Sequence, residues 1–391
     1  MKWWPAGNSH SFVEFFESEK NSAIILFLCV VFALLLANSI FAGNISSFFH
    51  SLAFIEYGII KIDFTIENWI NDGLMTIFFL LVGLEIEREL YIGELSNFKA
   101  AALPIISALG GMVIPASIYM LFNQGTVSQN GVGIPMATDI AFALGVISLL
   151  GKRININLKI FLAAFAIIDD IGSISFLAIF YSHSISAIYL LISLSIIAIL
   201  IIMNRAKVYF ISVYLILGIV LWYCLAKAGI HPTISGVIVA FSIPYSKGAK
   251  NPSLILQKML EIPVAFMILP LFAFANTGIK LDVGVLKNMG GPYAAGIIGG
   301  LIIGKPVGIV IFTLLGVKML GLRLPSGANW VQVIGIGCLG GIGFTMSIFM
   351  TNIAFSDIEI IRNAKVYILL ASVTSGIIGY FVLRKSSNVS S

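Results

Sequence analysis

Charged residues are scarce in this chain of 391 residues. Asp, Glu, Lys and Arg together make up 10% of the sequence, whereas hydrophobic residues make up 59% and the mean hydropathy is +1.03. Soluble domains carry charge on roughly a quarter of their residues. The composition therefore excludes an ordinary water-soluble protein and indicates that a lipid bilayer is the main solvent.

Cysteine and histidine are also rare. The three cysteines lie in apolar stretches without a CxxC spacing, so we interpret them as packing residues. The apolar segments hold no cluster of Cys or His, so neither a transition-metal site nor another bound cofactor is expected. A cleavable signal peptide is not predicted, because residues 1–21 contain three glutamates and no apolar core before a cleavage site.

Long apolar stretches recur along nearly the whole chain, each close to the length of about 20 residues that a helix needs to cross a bilayer. They predict an all-α polytopic membrane protein with about 12 transmembrane helices. The predicted spans are roughly 22–42, 71–90, 101–122, 135–150, 157–182, 185–203, 208–226, 231–244, 256–278, 293–317, 331–351 and 361–383.

Lys and Arg are unevenly divided between the two sets of loops. Sixteen of the 23 lie on the side of the termini, six lie on the opposite side, and Lys305 lies within a span. Loops rich in Lys and Arg stay in the cytoplasm, which predicts a cytoplasmic N-terminal segment at 1–21 and a cytoplasmic tail at 384–391. The net charge of +5 follows from this distribution and does not indicate a nucleic-acid partner.

The stretch 43–70 is too polar to cross a membrane. Within it, residues 53–67 show partial alternation of apolar residues with β-branched side chains, which is typical of a hairpin, although an irregular periplasmic loop fits as well. The open edges of such a hairpin can pair between two copies of a chain. A homodimer formed through the 43–70 hairpin is the corresponding prediction.

Four charged residues lie where the apolar segments should exclude charge: Asp139, Asp169, Asp170 and Lys305. At about 3 kcal/mol for each charge near a helix centre, they would cost on the order of 12 kcal/mol if isolated. A polar cation site in the helix bundle accounts for them, and so does a buried ion pair that fixes helix packing. Carboxylate, hydroxyl and carbonyl oxygens suit small hard cations.

Two predicted spans contain residues that break helices. The fourth begins GVGIPMATD, and the eleventh reads GIGCLGGIGFTMSIF. Glycine frees the backbone to leave helical geometry, so both spans are predicted to be interrupted, although glycines packed between helices also fit the eleventh. Asp139 would then neutralise positive helix ends and Lys305 negative ones. The surrounding segments, about 101–182 and 293–383, are predicted to form inverted-topology repeats whose interrupted helices cross at midplane.

Six stretches resemble one known family over nearly the whole chain: FFLLVGLEIERE, MATDIAFALG, AIIDDIG, ILPLFAFANTG, GKPVGI and GIGFTMSIF. They are similar to the NhaA-type sodium/proton antiporters of bacterial inner membranes, a family with inverted repeats and broken helices. The resemblance implies a single transmembrane antiporter domain that exports Na+ or Li+ in exchange for protons. It also implies electrogenic, pH-regulated alternating access that serves pH and sodium homeostasis.

Matched residue by residue, the resemblance implies that Asp169 and Asp170 bind Na+ or Li+ in competition with protons. It implies that Lys305 pairs with Asp169, and that Thr138 and Asp139 lie at the crossing of the two broken helices. Glu85, Arg88 and Glu89 resemble the family's cytoplasmic funnel, which takes part in pH activation. A solvated helix end explains the same three residues.

His231 matches a histidine that the family links to its pH response, although a lone His at a helix start is often a cap or a packing residue. The chain also departs from the family at the cytoplasmic start of the ninth span. Gln257 and Lys258 stand where the family has an acidic residue, and Glu261 follows a turn later. The pH-activation profile is therefore open.

Two other functions fit paired membrane carboxylates. A secondary transporter can couple sodium or protons to an organic solute, but few additional polar or aromatic residues lie at midplane to bind one. An intramembrane aspartyl protease would use Asp139 and Asp169 as a pair sharing one proton, but it has no use for Lys305 and the chain has no GxGD motif. The sequence predicts a transporter rather than an enzyme.

Overall fold

The computed structural model describes residues 9–57, 60–93, 96–181, 186–246, 251–280 and 288–387. Within these ranges the chain forms fourteen α-helical segments, several short 3-10 helices and one hairpin, β1 (Leu52–Tyr57) and β2 (Ile60–Thr65). The helices are α1 (Ser9–Ala37), α2 (Ala42–Phe49), α3 (Ile66–Tyr91), α4 (Phe98–Asn123), α5 (Ile140–Leu149), α6 (Ile156–Phe180), α7 (Ala187–Arg205), α8 (Ile211–Ala228), α9 (Ile234–Ser242), α10 (Pro252–Thr277), α11 (Pro292–Leu320), α12 (Trp330–Gly340), α13 (Phe344–Ala354) and α14 (Ile358–Ser387).

The prediction of an all-α polytopic membrane protein is confirmed. Among the described residues, ten helical segments are long and apolar enough to cross a bilayer, and the bent pair of α12 and α13 makes an eleventh. The predicted span 231–244 differs, because α9 has nine residues and is about 14 Å long. Pro232 and Pro244 explain this: the first lacks an N–H at the helix start, and the second keeps Ile243 extended.

The elements group into two compact units. The first contains α4, α5, most of α6 and helices α11 to α14. Within it the backbones of α4 and α11 are in contact at Gly110 and Gly308. A Cβ added to either glycine would overlap the carbonyl oxygen of the other. Small residues allow this close approach in membranes, where van der Waals packing drives helix association.

The second unit contains α2, the hairpin, α3 and helices α7 to α10. Its core includes Leu84, Leu200, Tyr214 and Leu221, all fully buried. The strands pair antiparallel from Leu52 opposite Thr65 to Tyr57 opposite Ile60. The described part of the 43–70 stretch is therefore a hairpin preceded by a short helix, and the predicted irregular loop is not found there. The single transmembrane domain over residues 1–391 stays a prediction.

Candidate ion-binding site

Two helices of the first unit are interrupted, as the glycines of the fourth and eleventh predicted spans indicate. A 3-10 helix, Gln129–Met136, is followed by extended backbone at Ala137, and α5 begins at Ile140. The second interruption separates α12 from α13, whose axes differ by 41°. Free N–H and C=O groups at such breaks need partners inside the protein, because lipid offers none.

Hydrogen bonds join the two interruptions directly. The backbone N–H of Asp139 donates to the carbonyl of Ile342 at 2.6 Å, and the Thr138 hydroxyl donates to the carbonyl of Gly340 at 2.8 Å. In the other direction, the Ser347 hydroxyl donates to the carbonyl of Ile134 at 2.7 Å. Each interrupted helix therefore satisfies backbone groups that the other leaves open.

Asp139 lies at the N-terminal ends of two helices. As the N-cap of α5, its Oδ1 accepts from the N–H of Phe142 at 3.0 Å. Its Oδ2 accepts from the N–H of Thr345 at 2.9 Å and from the Thr345 hydroxyl at 2.5 Å, at the start of α13. Because helix N-termini carry partial positive charge, this buried carboxylate is stabilised by both helices.

Lys305 forms a fully buried ion pair with Asp169. Its Nζ lies 2.5 Å from Asp169 Oδ2, and both side chains are 0% exposed. The same ammonium donates to the Thr138 hydroxyl at 2.8 Å, which in turn donates to the carbonyl of Gly340. Thr138 thus links the ammonium of Lys305 by two hydrogen bonds to the C-terminal end of α12, which carries partial negative charge.

Asp170 lies beside this ion pair. Its side chain is fully buried, and its charge interacts with that of Lys305. Adjacent residues on a helix point about 100° apart, so Asp169 can face Lys305 while Asp170 borders the same polar region from another side. The first unit therefore gathers Thr138, Asp139, Asp169, Asp170 and Lys305, with three carboxyl groups for one ammonium.

The three residues predicted for pH activation lie at the end of α3 in the second unit. Arg88 donates to Glu89 at 3.1 Å, and both are only partly exposed. Glu85 lies in the field of Arg88, Glu89 and Glu261. The Glu261 carboxylate accepts a hydrogen bond from the Gln257 amide at 3.1 Å. Glu261 therefore lies next to Gln257, which stands where the family has an acidic residue. The side chains of Glu85, Arg88 and Glu89 are thus only partly exposed, and their role in pH activation stays a prediction.

His231 contacts two polar groups of the second unit. Its Nδ1 lies 2.8 Å from the Thr233 hydroxyl, and its Nε2 lies 3.6 Å from Asp72 Oδ1. The backbone carbonyl of Asp72 accepts from the indole of Trp222 at 3.3 Å. The Thr233 contact fits a residue at a turn before α9, and the Asp72 contact is one that the sequence did not predict. The sensor role of His231 stays a prediction.

Sequence reasoning missed Thr345, although it directly follows the predicted break in GIGFTMSIF. A hydroxyl in the first turn after a break lies near the exposed helix end, and that position was the available signal. Asp72 was missed because it lies near the polar start of its span, where an acid is unremarkable. Its partner, His231, lies far from it in the sequence.

Comparison with known proteins gives one consistent result. A family model described as Na+/H+ antiporter 1 matches residues 13–383. A protein of Flavobacterium psychrophilum named Na(+)/H(+) antiporter NhaA is 51% identical over 374 residues, which cover 95% of each chain. Similar proteins of Flavobacterium johnsoniae (50% identity, 96% of each chain) and Cytophaga hutchinsonii (49%, 95% of this chain and 94% of the relative) carry the same type of name.

Proposed function

The chain belongs to the Na+/H+ antiporter 1 family and exchanges sodium ions for protons, and we propose that Asp169 and Asp170 carry the two ions in turn. The observation that carries this assignment is the buried ion pair of Lys305 with Asp169, next to Asp170. A carboxyl group binds either a proton or a cation, so occupation by one excludes the other. Mutual exclusion at one site is what coupled exchange requires.

Lys305 balances the site when no sodium is bound. A cation that binds Asp169 and Asp170 competes with the ammonium of Lys305 for Asp169 Oδ2. The contact between Lys305 and Thr138 offers the ammonium a second partner at the end of α12. Li+ is a substrate as well, because the same hard oxygen atoms suit both ions.

Alternating access uses the two interrupted helices. Hydrogen bonds donated by Thr138, Asp139 and Ser347 join the breaks, and an uninterrupted helix would have to lose backbone hydrogen bonds in order to bend. Small rearrangements at these breaks open the site to one side of the membrane and then to the other. Sodium leaves the cell and protons enter.

The protein works in a bacterial inner membrane with both termini in the cytoplasm, an orientation supported by the excess of Lys and Arg in the loops on that side. The exchange is electrogenic, so each cycle carries net charge. A membrane potential of roughly 100 mV then supplies about 2.3 kcal/mol for each charge moved. The exchange contributes to pH and sodium homeostasis.

Regulation and assembly involve the second unit. Glu85, Arg88 and Glu89 sense cytoplasmic pH together with Glu261, and His231 responds to pH through its contact with Asp72. The 43–70 hairpin pairs two protomers, since a two-stranded sheet has two edges open to further pairing. No cofactor takes part, and Na+, Li+ and protons are the substrates.

The two competing functions are less well supported. Asp139 accepts from Phe142 and Thr345, whereas Asp169 pairs with Lys305, so the two carboxyl groups have different partners. An aspartyl protease needs two aspartates that share one proton. The names of the relatives favour ion exchange over transport of an organic solute.

Inverted membrane vesicles test the proposal. With a dye that reports an imposed proton gradient, we expect Na+ and Li+ to dissipate the gradient between pH about 6 and 9, a range that brackets histidine titration, whereas K+ leaves it unchanged. Asp169→Asn and Asp170→Asn should each abolish the response. Exchange retained by either variant would overturn the assignment.

Asp357→Asn is the matched control. Asp357 is exposed and accepts from the N–H groups of Glu359 and Ile360 at the start of α14. Asparagine caps helices about as well as aspartate. This variant should therefore keep wild-type exchange, which separates loss of a buried charge from a general effect of the substitution.

A further inference from the structure

Ser173 lies on α6 one turn beyond the carboxylate pair and is 1% exposed. At about 100° per residue, it projects roughly 40° from Asp169 and about 60° from Asp170, so it lies between them in projection. Helical side chains tilt toward the N-terminus of their helix, which directs the hydroxyl back toward the turn that carries both carboxyl groups.

The Ser173 hydroxyl differs from several other buried serine hydroxyls in the spans. Ser107, Ser193 and Ser242 each donate to the carbonyl four residues earlier, at 2.6 to 2.8 Å. Ser173 Oγ has no hydrogen-bond partner among the residues that the structure describes. Buried hydroxyls normally have a hydrogen-bond partner. A buried hydroxyl that has none, and that lies next to two carboxyl groups, indicates that a ligand binds there.

The neighbouring turns of α6 offer no alternative oxygen on this face. Ala166 lies one turn before the carboxylate pair and Leu177 one turn beyond Ser173, and both are buried and apolar. Hard cations bind several oxygen atoms, and uncharged oxygens commonly complete a set that carboxylates begin. Ser173 is the side chain of α6 placed to add such an oxygen.

We propose that the Ser173 hydroxyl is a further ligand of the transported cation, an inference that rests on the ion-carrying role proposed for Asp169 and Asp170. A hydroxyl binds Na+ or Li+ through its oxygen lone pairs but takes up no proton at physiological pH. Ser173 therefore favours the cation in its competition with protons. It acts on cation affinity and leaves the proton-carrying groups unchanged.

Exchange kinetics of Ser173 variants test this role. In Ser173→Ala the apparent KM for Na+ and for Li+ should rise by about 3- to 10-fold, the range expected for one neutral polar contact, while the maximal rate stays within about two-fold. Ser173→Cys should behave like the Ala variant, because sulfur is a soft ligand of similar size. Ser173→Thr, which keeps the hydroxyl, should restore the wild-type KM.

Ser148→Ala is the matched control. Ser148 is a buried serine of α5 whose hydroxyl also has no hydrogen-bond partner among the described residues, and it lies nine positions beyond Asp139. Its loss should leave the KM for both cations unchanged. An equal rise in KM for Ser148→Ala and Ser173→Ala would overturn the inference, since the effect would then not depend on the position beside the carboxylates.

A binding measurement complements the kinetics. Na+ added to the purified protein is expected to raise its thermal unfolding midpoint, and the Na+ concentration needed for a given rise should increase by the same 3- to 10-fold in Ser173→Ala. An unchanged KM, or a lower maximal rate at unchanged KM, would contradict the role of Ser173 as a ligand. If Asp169→Asn and Asp170→Asn abolish exchange while Ser173→Ala is normal, only this inference fails.

Discussion

Two buried aspartates of the first unit are held in contrasting ways. Asp139 accepts hydrogen bonds from two backbone N–H groups and one hydroxyl, all of them neutral donors fixed at helix ends. Asp169 is balanced by the ammonium of Lys305, which belongs to a side chain on another helix. A carboxylate held by fixed dipoles keeps its partners, whereas one held by a flexible cation can exchange that cation for another.

The contrast divides the site into a structural part and an ion-binding part. Asp139 and Thr345 fasten the two interrupted helices together, so their bonds act on the structure of the crossing. Asp169, Asp170 and Lys305 hold charges that can be redistributed when an ion arrives. Variants that remove one partner at a time from each part should therefore change different measured quantities.

The largest effect on stability is expected for Lys305→Met, which leaves Asp169 buried without its partner. Removing one member of a buried ion pair costs about 3–5 kcal/mol, which thermal unfolding of the purified protein in detergent would detect. The loss should shrink as pH falls, because a protonated Asp169 carries no charge that needs a partner. Lys318→Met on the same helix is the control, since Lys318 is exposed. A loss no larger than that of the control would show that the pair does not stabilise the fold.

A smaller effect is expected for Asp139→Asn. The amide oxygen still accepts one set of donors, but the amide nitrogen meets N–H and O–H groups that need an acceptor, and hydrogen bonds to a charged group are lost. We expect a loss of about 2 kcal/mol in unfolding free energy. Per folded molecule, vesicle exchange should be slower but measurable. Complete loss of exchange at unchanged stability would make Asp139 an ion carrier and remove the contrast with Asp169.

The smallest effect is expected for Thr345→Val, which keeps the side-chain shape and the backbone N–H bond to Asp139 but removes the hydroxyl. The loss should be about 1 kcal/mol in thermal unfolding, with normal KM and maximal rate. Thr374→Val is the control, because the Thr374 hydroxyl is exposed and bonds to the carbonyl of Leu370 in its own helix. A raised KM for Na+ in Thr345→Val would transfer Thr345 to the ion-binding part.

The charged members of the site were predictable because charge in an apolar segment is a strong signal. Asp139, Asp169, Asp170 and Lys305 stand out against long runs of Leu, Ile and Phe. The interruptions were predictable for a related reason, since Pro135 and the glycines of the eleventh span cannot all be accommodated in regular helix. The family resemblance added the pairing of Lys305 with Asp169, which the positions alone leave undetermined.

The uncharged members were not predictable in the same way. Serine and threonine are common in these spans, and many bond to their own helix, so Ser173 carries no distinguishing mark in the sequence and Thr345 is marked only by its position after the predicted break. The contact between His231 and Asp72 depends on how α3 and the turn before α9 pack together. α9 is short because Pro232 and Pro244 lie at its two ends. The apolar residues of 231–244 alone do not show how these prolines affect the neighbouring backbone.

The close backbone contact between α4 and α11 limits which residues can replace Gly110 and Gly308. Because the backbones at Gly110 and Gly308 touch, neither position has space for even one methyl group. Gly43, by contrast, has no atom within 4 Å of where a Cβ would lie. In a library that is selected for growth in high salt, positions 110 and 308 should return almost only glycine, while position 43 returns many residues.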